Sequence, residues 1–123
     1  MKTPAEIQAE LPNFFGTEHW YQYSPIFKNV LLTDGAKYIA EECGAYWLMD
    51  AIASYLGQIT DQFVIATLTR TGTKARLILA DDEPANQVYA TQEIEYTDFP
   101  LDTLKLYAIY DGENWVILLT SEY

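Results

Sequence analysis

Few residues in this chain have the chemistry to act on another molecule. His19 is the single histidine, preceded by Glu18, and Cys43 is the single cysteine. A general base needs a partner that orients it and a pocket that holds the substrate. On an extended chain adjacent side chains point to opposite faces, so Glu18 would not orient His19 directly. His19 is therefore predicted to pack among aromatics rather than to catalyse. A nucleophilic cysteine needs its pKa lowered by a helix N-terminus or a nearby cation. Cys43 falls on the apolar stripe of a predicted helix, close to that helix's C-terminal end, and reads as a small core residue. One histidine and one cysteine cannot build a structural zinc site. Asp81, Asp82 and Glu83 are consecutive, but they lack the alternating oxygens and central glycine of a calcium loop and read as a solvated acidic loop. Phosphate-binding glycine loops and the G-x-S-x-G elbow are missing from the sequence. No metal and no cofactor is expected, and the residues favour a non-enzymatic role.

The charge is lopsided. The chain of 123 residues carries a net charge of -11. Residues 1–76 hold 8 acidic and 6 basic side chains, whereas residues 77–123 hold 10 acidic side chains and a single lysine, Lys105. Such a surface repels nucleic acid and membranes and attracts basic partners. Glu93 and Glu95 are two apart in a predicted strand, so they point the same way at roughly 7 Å, near the spacing of successive phosphates. With Asp81, Asp82, Glu83, Asp98 and Asp102 they make the candidate partner-binding set. The partner expected is a protein with a basic surface, without direct contact to nucleic acid or membrane. Half of the residues are hydrophobic and 15% aromatic, enough for a core in one domain spanning 1–123. No apolar run approaches the length of a membrane span, the first residues lack the apolar stretch of a signal peptide, and one cysteine fits a reducing, cytoplasmic setting.

The elements that must position these residues follow from periodicity. A short helix is predicted over 4–11, started by Pro4 and stopped by Pro12. Residues 14–27 form an aromatic knot, read as irregular turns with aromatic anchors. The strongest helical pattern covers 33–56. Ala36, Ile39, Ala40 and Cys43 make one stripe, and Ala45, Leu48, Met49, Ile52, Ala53 and Leu56 make a second on a different face, so the helix is predicted to break near Gly44. Trp47 and Ala51 lie opposite the second stripe and need cover, from the aromatic knot or from a second copy. Strands are predicted over 62–70, 73–80, 87–96, 105–110 and 114–120. The expected fold is α+β, with N-terminal helices packed on one face of an antiparallel meander of about five strands.

Three stretches carry a resemblance. They are Phe15-Gly16-Thr17-Glu18-His19-Trp20-Tyr21; Leu32-Thr33-Asp34-Gly35-Ala36 running on to Gly44-Ala45-Tyr46-Trp47-Leu48-Met49-Asp50; and Thr97-Asp98-Phe99-Pro100 with the closing Ser121-Glu122-Tyr123. Over nearly its whole length the chain resembles a family of small bacterial proteins, a domain of unknown function associated with plasmids, phages and other mobile elements. Relatives carry a proline before the closing Ser-Glu-Tyr, where this chain has Thr120. The resemblance implies the fold and an association with mobile elements, and no activity.

Three readings result. The first is an interaction protein, in its sharper form an acidic inhibitor or nucleic-acid mimic directed at a basic, nucleic-acid-handling protein. The second is a small-ligand binder or enzyme whose pocket is lined by Glu18, His19, Trp20, Tyr21 and Asp34. The third is a structural homodimer whose carboxylates keep it in solution.

Overall fold

A computed structural model describes residues 2–17, 19–23 and 29–123. Helix α1 (Pro4–Glu10) begins in a capping box. Thr3 Oγ1 accepts the Glu6 N–H and Glu6 Oε1 accepts the Thr3 N–H, each at 3.2 Å. Those bonds satisfy two of the donors that a helix start leaves unpaired. A 3₁₀ turn (Leu11–Asn13) holding Pro12 ends it. Strand β1 (Trp20–Gln22) and strand β2 (Val30–Thr33) lead into helix α2 (Asp34–Glu42). Cys43 is the C-terminal cap of α2, and Gly44 follows at φ +58, a conformation that excludes most side chains. Helix α3 (Tyr46–Leu56) then runs on a new axis, so the break predicted at Gly44 is present.

Five longer strands complete the sheet: β3 (Phe63–Thr71), β4 (Lys74–Ala80), β5 (Val88–Ile94), β6 (Thr103–Tyr110) and β7 (Trp115–Leu119). A second 3₁₀ turn, Thr120–Glu122, follows β7. The expected five-stranded meander is corrected in two ways. The sheet has seven strands in the order β1-β2-β7-β6-β3-β4-β5. Its pairings are antiparallel except β2 with β7, which run parallel. The two added strands are three and four residues long, too short for alternation to declare them. The third predicted strand also ends early, at Ile94, which leaves Glu95 and Tyr96 outside the ladder.

Alternation along the strands divides the sheet. Val64, Ala66 and Leu68 of β3, Leu77 and Leu79 of β4, Leu104 and Leu106 of β6 and Ile117 of β7 face the helices. There they bury against Ile39 and Ala40 of α2 and Leu48, Met49, Ile52 and Leu56 of α3. Each such Leu or Ile side chain contributes about 1.5–3 kcal/mol by leaving water. Among the described residues, Trp47 gains cover from an aromatic that the sequence did not suggest. Trp47 meets Phe99 edge-on, with ring centroids 6.3 Å apart. Phe99 belongs to the link from β5 to β6, which Arg70 clamps by donating to Leu101 O, Gly72 O and the Asp102 carboxylate. Tyr23, in the described part of the knot, covers the start of α3. Tyr23 stacks on Tyr46 and donates to Asp50 Oδ1 at 2.5 Å. Burial, and then that carboxylate, push the Tyr23 pKa up.

The end of β7 locks the start of α2. Glu122 Oε1 accepts the Thr33 hydroxyl at 2.6 Å and the Leu119 N–H at 2.9 Å, while Oε2 accepts the Gly35 N–H at 3.1 Å. Thr33 Oγ1 in turn accepts the Ala36 N–H at 3.2 Å. A carboxylate on unpaired N–H groups at the positive end of a helix is favoured twice, by hydrogen bonds and by the helix dipole. A Cβ on Gly35 would stand 2.5 Å from Glu122 Oε1 and 2.6 Å from Leu119 Cδ1. Only glycine admits the carboxylate.

Removing that carboxylate in Glu122→Ala leaves the Thr33 hydroxyl and two N–H groups to find water, and should lower stability by about 2–3 kcal/mol. Gly35→Ala displaces the same carboxylate and should cost about 2 kcal/mol or more. Urea unfolding of the two single variants and the double variant checks this. The effects should be strongly non-additive, because both remove one interaction. The Cys43 thiol is buried, and that burial pushes its pKa to about 11. Modification by a thiol reagent at neutral pH should be slow in the native protein and rapid in urea, as read by mass spectrometry.

Candidate functional site

The helices cover one face of the sheet, and no described helix lies on the other. Register arranges that uncovered face in cross-strand rows. Gln22, Leu31, Val116, Ile109 and Phe63 form one row across β1, β2, β7, β6 and β3. Leu118, Tyr107, Ile65, Ala80 and Val88 form the next, in which Leu118, Ile65 and Ala80 are buried and Tyr107 and Val88 keep accessible surface. The following rows are Lys105, Thr67, Ile78 and Thr91, then Thr103, Thr69, Arg76 and Glu93. The face is thus apolar at one end of the strands and polar at the other. Tyr123 folds onto the apolar end. Its ring meets Phe63 and Tyr107 edge-on, with centroids 5.6 and 5.3 Å away, and stays 71% exposed. Val88 is 51% exposed at the outer edge, where the register shifts between Leu79 and Ala80. An apolar surface of this kind, bordered by polar residues, is the usual mark of an interaction site.

The seven predicted carboxylates do not converge into one patch. Asp81, Asp82 and Glu83 sit in the loop after β4, while Glu95, Asp98 and Asp102 lie beyond the far end of β5. Ion pairs within the fold engage three of the seven. Glu93 pairs with Arg76 across the β4–β5 ladder at 2.6 Å, Asp102 with Arg70 at 2.7 Å, and Glu83 with Lys105. The last pair brings the 81–87 loop over the polar part of the uncovered face. Asp81 holds that loop by accepting the N–H groups of Asn86 and Gln87. Asp82, Glu95 and Asp98 are exposed and make no ion pair among the described residues. The cross-strand pair of Arg76 with Glu93 could not be read from sequence, because it depends on register.

The second predicted set is brought together in part. Glu18 lies outside the described residues. Thr17 Oγ1 donates to His19 O at 2.6 Å and accepts the Asp34 N–H at 3.0 Å. This holds His19 Nδ1 3.7 Å from Asp34 Oδ1, beyond hydrogen-bond distance. Tyr21 lies on the same side of β1, with Lys37 Nζ 4.1 Å from its ring centroid. Burial, and then Asp34, push the Tyr21 pKa up. Trp20 alternates to the other side and is 57% exposed. The expectation of a packed histidine is corrected, because the His19 side chain is 66% exposed just before the short edge strand β1. The group lies open to solvent, without the enclosed, water-excluding walls that strengthen acid–base chemistry.

Two further features were not expected from sequence. A cleft of about 560 Å³ opens beside the end of α3, lined by Val30, Leu56, Ile59, Asp61, Tyr110 and Trp115 among others. The Tyr89 hydroxyl donates to the Asp61 carboxylate at its rim. Periodicity places Tyr110 and Trp115 on strands but cannot show that they meet the loop after α3. Among the described residues no group of three or more His, Cys, Asp or Glu side chains is arranged to hold a metal ion. No helix there is long and apolar enough to cross a membrane.

Comparison with curated proteins and with solved structures finds no match to this chain. A protein-family model, the family of unknown function DUF6876, matches residues 5–123. The segments that carry the sequence resemblance are the ones that the fold joins, with Thr33 and Gly35 held by Glu122 and Trp47 held by Phe99. The chain belongs to the DUF6876 family.

Proposed function

We propose that this protein is a non-enzymatic binding module that takes a basic protein partner on its uncovered sheet face. The observation that carries the reading is the division of that face. Its apolar end, where Tyr123 and Val88 are exposed and Phe63, Tyr107 and Ile109 half-buried, offers surface that a partner can desolvate. The carboxylates that make no ion pair among the described residues, Asp82, Glu95 and Asp98, stand at the two ends of β5, where they steer a basic surface toward the sheet. A second copy fits less well, because it would bring another charge of -11 to the same rim. The likeness of the sequence to proteins of plasmids and phages supports the sharper form of the reading. In that form the partner handles nucleic acid, and its basic surface is the one that otherwise meets phosphates. The dispersal of the carboxylates favours occlusion of such a surface over imitation of a phosphate ladder. The cluster of His19, Tyr21 and Asp34 lends less support to catalysis, because its histidine is exposed and no described residue encloses it.

Capture from host lysate tests this with three proteins. They are the native chain, a Val88→Asp/Tyr123→Ser variant of the apolar rows, and an Asp82→Lys/Glu95→Lys/Asp98→Lys variant of the rim. The native chain should retain a basic protein at low salt and release it at high salt, since exposed charge pairs are screened within about 10 Å at 0.1 M. Each variant should retain that same protein at least about tenfold less, a difference of roughly 1.4 kcal/mol. Equal retention by all three proteins would sink the proposal. So would a dimer in light scattering that the apolar-row variant dissociates, because the face would then belong to a second copy.

A further inference from the structure

We propose that the cleft at the C-terminal end of α3 binds a small organic cation, an amine carried on an apolar body. The cleft lies on the helix side of the sheet, away from the face assigned to a partner, and the inference stands independently of that assignment. Its volume of about 560 Å³ falls within the range of small-molecule sites. Val30, Ala53, Leu56 and Ile59 supply apolar wall for the body of such a ligand.

Three separate features select positive charge. The Asp61 carboxylate stands in the lining, and among the described lining residues there is no lysine, arginine or histidine to neutralise it. The Tyr89 hydroxyl occupies Asp61 Oδ2 as a neutral donor and leaves the charge in place. Helix α3 ends at this spot with Leu56 and Gly57 in the lining, so the negative end of its dipole points at the cleft. The rings of Tyr110 and Trp115, with centroids 5.4 Å apart, line the same space and favour a cation near their π-faces. A second carboxylate, Asp81, lies in an adjoining depression that shares Thr60 and Asp61, so the local potential is negative on both sides. A neutral ligand would use the apolar wall but none of these features. An anion would be repelled by all of them.

The test is a titration of the isotopically labelled protein, followed by amide and indole shifts, with 2-phenylethylammonium and with its neutral counterpart 2-phenylethanol. The amine should move the resonances of Asn29, Gly57, Thr60, Asp61 and the Trp115 indole in a saturable way, and bind at least about tenfold more tightly than the alcohol. Asp61→Asn keeps an acceptor for the Tyr89 hydroxyl and should bring the two affinities to within about threefold of each other. Thr60→Arg places a tethered cation at the exposed rim and should weaken the amine by about fivefold or more, with the rest of the spectrum native. Equal binding of amine and alcohol, shifts confined to other residues, or an Asp61→Asn variant that still discriminates would overturn the assignment. Binding of Nα-acetyl-lysine amide without binding of the phenyl amine would overturn it as well, since the site would then serve a partner's side chain.

Discussion

The fold depends on a carboxylate placed on the start of a helix. Glu122 comes last but one in the chain, yet its oxygens meet Thr33 and Gly35, where β2 becomes α2. The contact stands over the one parallel pairing in the sheet, β2 with β7. A parallel pair has no hairpin to fix its register, so something else must set where β2 stops beside β7. Here the Glu122 side chain does so. It accepts the Leu119 N–H at the end of β7 and the Gly35 N–H at the start of α2 with opposite oxygens. With that point fixed, the axis of α2 over the sheet is fixed, and Ile39 and Ala40 are brought onto the core. The absence of a side chain at Gly35 is part of the same device, since a methyl group there would occupy the carboxylate's place.

How much of this was legible in the sequence depends on the range of the interaction. The break at Gly44 was readable because two stripes of different phase meet there, and a phase change within one segment is a local signal. The strands from Phe63 onward declared themselves by alternation, since one face of each packs under helices. Strand β2 did not. It is short, and three of its four residues are buried, so it reads as an apolar lead-in to α2. The cover of Trp47 by Phe99 spans half the chain and depends on where Arg70 holds the link before β6, which no periodicity reveals. The candidate sites followed the same rule. Neighbours on one segment, such as His19 and Tyr21, are grouped by the chain itself, with no long-range information needed. The pairing of Glu93 with Arg76 and the meeting of Asp61, Tyr110 and Trp115 required the register of several strands.

The ion pairs change what the acidity of the second half means. Read along the chain, residues 77–123 form a nearly unbroken negative segment. In the fold, its one lysine and two arginines from earlier strands are spent on Glu83, Glu93 and Asp102. These are partly exposed pairs, worth at most about 1 kcal/mol each. Their larger effect is spatial. Those of Lys105 and Arg76 neutralise the polar half of the uncovered face and leave the excess charge in loops at both ends of it. A field from dispersed loops falls off slowly and acts on approach, whereas the apolar rows act only on contact. In the proposed reading the two therefore divide the work of recognition. The distant carboxylates would raise the encounter rate with any basic surface, and the shape of the apolar end around Phe63, Tyr107 and Tyr123 would decide which of those surfaces stays. A chain that relied on its charge alone would hold every basic protein equally, and an uncovered apolar face on a neutral chain would invite self-association. If the face takes a basic partner as proposed, placing the two side by side on one sheet restrains both outcomes, because a rim that attracts a basic surface repels another copy of the same charge.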